Sequence, residues 1–190
     1  MQRLVGLVRR CVEDYKMIEP GDRIAVGVSG GKDSLALLVL LAELKKYNHI
    51  PFEIEAITID MGLGMDYSPI ANLCEQWDVP YTIVKTEIAP IIFEHRQEKN
   101  PCSMCSKMRR GALTDYCKDI GANKLALGHH RDDAIETLAM SLLFEGRLHT
   151  FHPVTHLERT DVTQIRPMIY LSEKQVIHME RKLTLPTVKS

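Results

Sequence analysis

One stretch, Ile24-Ala25-Val26-Gly27-Val28-Ser29-Gly30-Gly31-Lys32-Asp33-Ser34-Leu35, constrains the fold of this chain most tightly. A short apolar run suited to a buried strand leads through a Ser-Gly-Gly turn into the opening turn of a helix. Paired glycines allow a sharp bend and let a ligand approach the backbone closely. The helix start presents unpaired N–H groups and the positive end of a dipole, so it attracts anions. Lys32 adds a mobile cation, and Ser29 and Ser34 add hydroxyls. The segment reads as a cradle for phosphate or pyrophosphate, with Ser29, Gly30, Gly31, Lys32, Asp33 and Ser34 as its binding residues. A Walker-type P-loop does not fit. Three residues separate Gly27 from Gly31 where that motif has four, and Asp33 stands where its magnesium-binding hydroxyl should be. The plainer alternative is a glycine turn that caps a helix and holds no ligand.

Composition sets outer bounds. A chain of 190 residues can bury one substantial core. Its 45% hydrophobic and 26% charged residues are the proportions of a soluble globular domain. No apolar run reaches the roughly 18 residues of a membrane span. Met1 to Cys11 has helical apolar spacing that breaks too early for a secretory signal, so a cytoplasmic protein without membrane contact is expected. A net charge of −1 gives no broad positive field for indiscriminate nucleic-acid binding, though it permits a local basic face. Five cysteines, an odd number without an export signal, favour reduced thiols or metal ligands over a disulfide framework.

Strands are expected at 23–28, 54–60, 81–85 and 124–127, each short and rich in Ile, Val, Thr or Leu. Helical patterns fall between them at Ser34 to Lys46, Tyr67 to Trp77, Cys105 to Asp119 and Asp132 to Phe144. A last helix is expected at Leu171 to Leu183, with Ser172 as N-cap. Residues 150–167, with several His and Arg and two prolines, read as a loop or short strands. This alternation predicts an α/β fold, a doubly wound parallel sheet with flanking helices. Residues 1–22 are expected to form an N-terminal helix and its link, and 23–190 the nucleotide-binding domain. Such sheets bind ligands beyond the carboxyl ends of their strands. The Ser-Gly-Gly turn, Asp60-Met61-Gly62-Leu63-Gly64 and Gly128-His129-His130-Arg131-Asp132-Asp133 all fall there. Ile59 and Gly128, at strand ends, are expected to flank a bound nucleoside.

Pro101-Cys102-Ser103-Met104-Cys105 is a C-x-x-C pair, whose thiols can share a metal ion, an iron–sulfur cluster or a disulfide. Nearby Lys107, Arg109 and Arg110 favour thiolate over thiol. The sequence has no second pair to close a four-ligand zinc shell, which favours iron–sulfur. Cys117 lies ~18 Å further along the same helix, and with Cys11 and Cys74 it reads as buried core. Asp132, Asp133 and Glu136 open the helix after Gly128. With Asp33, the two aspartates can hold Mg2+ beside a triphosphate, Asp133 foremost. Equally, acids at a helix start serve as caps and complement the dipole.

SGGKDS resembles the loop of PP-loop ATP pyrophosphatases, which cleave ATP between the α and β phosphates. Together with the C-x-x-C pair, GHHRDDAIET (Gly128 to Thr137) and Arg166-Pro167-Met168-Ile169-Tyr170, it resembles one branch along the whole chain, the tRNA-cytidine 2-sulfurtransferases. The resemblance implies that ATP adenylates O2 of a cytidine in the tRNA anticodon loop, releasing pyrophosphate. A sulfur nucleophile then displaces AMP from C2. It further implies a [4Fe-4S] cluster on three cysteines, with Cys102 and Cys105 matching the first two. The expected catalytic set is Cys102, Cys105, Arg109 and Asp133. Arg109, one helical turn beyond Cys105, can stack on or hydrogen-bond a base. It belongs to a basic set, Lys107, Arg109, Arg110, Arg131, Arg147 and Arg166, expected to face tRNA. A sulfur donor such as a cysteine desulfurase persulfide and a homodimer also follow from the resemblance. The family's third cysteine comes just after a segment resembling Leu185 to Ser190, where this sequence stops. The expectation is a chain cut short at its C-terminus, or a variant recruiting another ligand. Two other readings use the same residues. One is a PP-loop ATP pyrophosphatase of thiouridine or lysidine type; the other is a non-catalytic ATP- and metal-binding domain of a larger assembly.

Overall fold

The computed structural model describes residues 1–47, 49–92 and 101–188, the side chains of 101–103 excepted. Among these residues six strands form one sheet: β1 (Arg23–Gly27), β2 (Glu53–Asp60), β3 (Tyr81–Lys85), β4 (Lys124–Ala126), β5 (Val154–Leu157) and β6 (Val162–Ile165). Their order is β3-β2-β1-β4-β6-β5. All neighbours run parallel except β5, which pairs antiparallel with β6 at one edge. The helices are α1 (Gln2–Asp14), α2 (Lys32–Tyr47), α3 (Ser68–Gln76), the single turn α4 (Ile88–Pro90), α5 (Pro101–Asp119), α6 (Arg131–Met140) and α7 (Glu173–Leu183).

Strand periodicity separates two cores, because successive side chains point to opposite faces. Ile24 and Val26 of β1 enter one core and Ala25 the other; Ile54 and Ala56 of β2 enter the first, Ile57 and Ile59 the second. Buried on both faces, β1 reads as a continuous apolar run, which made it conspicuous in the sequence. In α2, every residue from Leu35 to Ala42 is buried. A helix apolar around its whole circumference must be covered on all sides. The sheet covers one side of α2, and α1 and α7 cover the other. Helix α5 packs on the opposite face of the sheet, where Leu113 lies against Gly27.

Several boundaries differ from the sequence expectation. Helix α5 starts at Pro101, a residue well suited to a first turn. Regular α-geometry ends at Met140 instead of continuing to Phe144. A π-helical turn, Ser141–Glu145, follows and closes on Gly146 at φ 64°. The stretch 150–167 contains the β5–β6 hairpin, and its alternation is obscured by polar residues. Ser172 does cap α7, in a reciprocal box with Gln175.

The strand order reverses between β1 and β4, so the crevice at their carboxyl ends is the topological switch point. Both exits meet there. A Cβ on Gly128 would lie 2.9 Å from the carbonyl carbon and oxygen of Asp33 and 3.0 Å from Ser34 N. Gly128→Ala is expected to destabilise the protein by about 1–3 kcal/mol, since the clash is with backbone. Gly6→Ala in α1, where nothing lies within 4 Å, is expected to be neutral or to gain up to about 1 kcal/mol of helix propensity. Urea unfolding followed by circular dichroism measures both.

Candidate active site

The loop after β1 is braced from within. Val28 N–H donates to Ile57 O at 2.8 Å, and the Thr58 hydroxyl donates to Val28 O at 2.9 Å. Gly30 adopts φ 85°, which favours glycine. Ser34 Oγ accepts from Ser29 N–H at 3.1 Å and donates to Gly31 O at 2.9 Å. Ser29 Oγ lies 3.2 Å from Ser34 Oγ and accepts from Gly31 N–H at 3.4 Å. Both hydroxyls therefore serve the loop itself. The donors left for an anion are the N–H groups that open α2, which have no intrahelical partner.

Lys32 Nζ sits between Asp33 Oδ2 and Glu173 Oε1, 3.1 Å from each. Burial opposes its charge, but hydrogen bonds to Asp33 and Glu173 outweigh that and hold the ammonium above its ordinary range. Glu173 is fixed in turn, because its N–H donates to Asp132 Oδ2 at 2.8 Å. The N-termini of α2, α6 and α7 thus meet around one lysine.

His130 is the N-cap of α6. Its Nδ1 accepts from Asp133 N–H at 3.3 Å, and Asp133 Oδ2 accepts from His130 N–H at 2.7 Å. An accepting Nδ1 places the ring proton on Nε2, which lies 3.7 Å from Asp33 Oδ1. That oxygen is buried without a hydrogen-bond partner among the described residues. The three aspartates therefore have separate tasks. Asp133 caps α6, Asp132 holds the start of α7, and Asp33 keeps a buried oxygen unengaged. Among the described residues no three His, Cys, Asp or Glu side chains converge as metal ligands. Asp33, Asp132 and Asp133 each engage only Oδ2 in these hydrogen bonds, and Oδ1 of all three accepts no hydrogen bond among the described residues.

Cys105 is partly buried on α5, with Sγ 3.2 Å from Met61 Sδ just beyond the carboxyl end of β2. Cys102 lies in the first turn of the same helix, and its side chain falls outside the described residues. Three residues apart on a helix, the two positions share a face. Nearby, Tyr67 Oη donates to Asp60 Oδ1 at 3.4 Å. Burial raises the Tyr67 pKa, Asp60 adds to the rise, and the Arg109 charge counters it. Cys11, Cys74 and Cys117 are core residues, as the sequence indicated. Burial pushes their thiols up to about 12, 11 and 12 respectively.

Ile59 points into the second core and Gly128 rests on α2, so both shape the crevice through backbone. Of the six expected basic residues, Lys107, Arg110 and Arg166 line one cavity. Arg109 lies on the Tyr67 side, and Arg131 and Arg147 are exposed away from that lining. Sequence reasoning missed Glu173 and the N-cap role of His130. An acid in a first turn and a histidine before one carry only local signals, and their partners are distant in sequence.

A braced Ser-Gly-Gly loop at the switch point, with a lysine at the head of α2, defines a PP-loop nucleotide-binding domain. The PP-loop domain family matches residues 6–187. The chain is 40% identical over 189 residues to tRNA-cytidine(32) 2-sulfurtransferase of Pelobacter propionicus, covering 98% of this chain and 70% of the relative. It is 37% identical to the protein of that name from Geobacter sulfurreducens, covering 98% and 74%. The chain belongs to the tRNA-cytidine(32) 2-sulfurtransferase family. Its fold is similar to that of the U34-tRNA thiolase NcsA from Methanococcus maripaludis, solved with its [4Fe-4S] cluster. The TM-score is 0.78 at 24% identity, covering 100% of this chain and 65% of that one. An NH3-dependent NAD synthetase from Campylobacter jejuni shares the fold at TM-score 0.60 and 16% identity, covering 97% and 73%.

Thiol chemistry tests this assignment of cysteines. Iodoacetamide at pH 8 is expected to modify Cys105 in the native protein and to spare Cys11, Cys74 and Cys117 until unfolding, read by peptide mass spectrometry. The raised thiols also contribute stability that is present below pH 9.0, their ordinary value, and is lost as pH rises toward 11 to 12.

Proposed function

We propose that this chain is an ATP-dependent tRNA thiolase that converts a cytidine of the anticodon loop to 2-thiocytidine. The observation that carries the proposal is that the phosphate loop after β1 and Cys105, which touches Met61 after β2, both lie at the carboxyl edge of the sheet. ATP phosphates would lie on the N–H groups opening α2, with Lys32 exchanging its carboxylate partners for phosphate oxygens. Cytidine O2 attacks the α-phosphorus, the bond to the β-phosphate breaks, and pyrophosphate leaves. A nucleophile at the oxidation level of sulfide then bonds to C2 as the C–O bond to AMP breaks.

The unengaged oxygen of Asp33, buried beside the cradle, fits a hard cation shared with phosphates, as Mg2+ commonly binds. Bound there, Mg2+ would offset charge growing on the phosphates. Asp133 would act indirectly, by fixing the start of α6 and the His130 ring. Two cysteine positions on one face of α5 fit the first two of the three ligands that the expected iron–sulfur cluster takes. Cys102 and Cys105 would hold a [4Fe-4S] group, which supplies an iron to accept sulfur. Arg109, on the same face, would meet the target base. A tRNA substrate fits work in the cytoplasm, with a homodimer as the assembly and a persulfide-bearing desulfurase as donor, its outer sulfur brought to the sulfide level by two electrons from a dithiol reductant that becomes a disulfide. Among the described residues no helix is long and apolar enough to cross a membrane.

Incubation of the protein with α-labelled ATP, tRNA and sulfide under anaerobic conditions is expected to yield AMP, and 2-thiocytidine in the digested tRNA. Stoichiometric ADP would overturn the assignment. Lys32→Ala is expected to lower AMP formation at least about a hundredfold, the usual consequence of removing one preorganised charge donor. Asp33→Ala should lose AMP formation comparably while its melting temperature stays near that of the parent. Asp133→Ala should instead lose about 1 kcal/mol of stability through its cap.

A further inference from the structure

A cavity of about 700 Å3 opens between α5 and the β5–β6 hairpin, apart from the phosphate loop. Lys107 and Arg110 line it from α5, Arg159 from the hairpin turn and Arg166 from the end of β6, while Glu158 is the acid of the lining. Arg159 is engaged by Asp115 at 2.8 Å. Lys107, Arg110 and Arg166 have no carboxylate within ion-pair distance among the described residues.

Three residues of this lining carry a buried polar atom without a hydrogen-bond partner among the described residues: Thr160 Oγ1, Gln164 Nε2 and Arg166 Nε. Their residues are only 4, 3 and 8% exposed. Nε2 and Nε can only donate, and a hydroxyl can donate as well. Buried donors without acceptors destabilise a protein and call for an explanation. A partner that presents acceptors would satisfy them, and Lys107, Arg110 and Arg166, unpaired among the described residues, favour an anionic one. Arg166 is otherwise held firmly, since its Nη1 donates to His152 O at 2.6 Å and to Thr155 Oγ1 at 3.3 Å. Its guanidinium lies 5.0 Å from the ring centre of Phe151, and the His129 ring lies 4.9 Å from Phe151 on centroids. His129 belongs to the loop that leaves β4, so Phe151 joins this cavity to the catalytic crevice.

We infer that the cavity binds a phosphodiester of the RNA strand next to the target cytidine, with Gln164, Thr160 and Arg166 as donors and Lys107 and Arg110 as counter-charges. The inference rests on the proposed tRNA-thiolating function and adds a subsite to it. A phosphate held here carries no sequence information; it sets the register in which the neighbouring base reaches the crevice. The volume leaves room for the attached nucleoside beside Phe151.

Fluorescence anisotropy with a labelled tRNA anticodon stem-loop tests it on the full chain. Gln164→Met removes an unpartnered buried donor, so its melting temperature is expected to hold or rise. Its affinity for the stem-loop is expected to fall roughly tenfold or more, as for a lost hydrogen bond to a charged group. Arg110→Ala, at an exposed position, is expected to weaken binding and lower the salt slope by about 1. ATP affinity should be unchanged in both. Unchanged stem-loop affinity in both variants would overturn the subsite and leave tRNA thiolation standing. Absence of stem-loop binding and of AMP formation by the parent protein would overturn both. Saturable binding of inorganic phosphate that Gln164→Met abolishes, with stem-loop affinity intact, would make this a free-anion site and overturn the RNA assignment.

Discussion

The exit of β4 meets the first turn of α2 with less space between them than one methyl group needs, and the chemistry of the crevice is arranged around that contact. Because Gly128 lies on the backbone of Asp33 and Ser34, the next residues deliver His130 to Asp33 and start α6 beside the phosphate loop. Asp132 then holds the start of α7, whose Glu173 returns to Lys32. Three helix N-termini, each carrying partial positive charge, are thereby gathered at one place. In the free protein the aspartates and Glu173 offset that charge.

Much of this was legible in the sequence because it is local. Strand, glycine turn and helix start follow one another between Ile24 and Leu35, and a doubly wound topology then dictates where the turn must lie. Burial on both sheet faces made β1 a continuous apolar run, whereas Glu55 and Thr58 interrupt β2. The N-cap Ser172 was visible for the same reason, since a cap and its helix are adjacent.

What stayed hidden depends on residues distant in sequence. Nothing near Glu173 marks it as a partner of Lys32, and nothing near Gln164 marks it as a buried donor without an acceptor. The β5–β6 hairpin escaped clear recognition because polar residues interrupt its apolar alternation. The carboxylates show a subtler limit. Asp132 and Asp133 stand side by side at a helix start, a pattern equally suited to capping and to metal binding. One oxygen of each is engaged, toward His130 N–H for Asp133 and toward Glu173 N–H for Asp132, which leaves the second oxygen of each outside these hydrogen bonds.

The segment after α7 comes back to the phosphate loop. Val188 N–H donates to Gly30 O at 2.9 Å, and a side chain at residue 30 would meet Val188 Cβ at 3.1 Å. Leu185, three residues earlier, is anchored in the main core. The tail is thus a latch strung between the hydrophobic interior and the carbonyl of the residue that gives the loop its bend. The conformation of Gly30 is tied in this way to the packing of a segment more than 150 residues further along the chain.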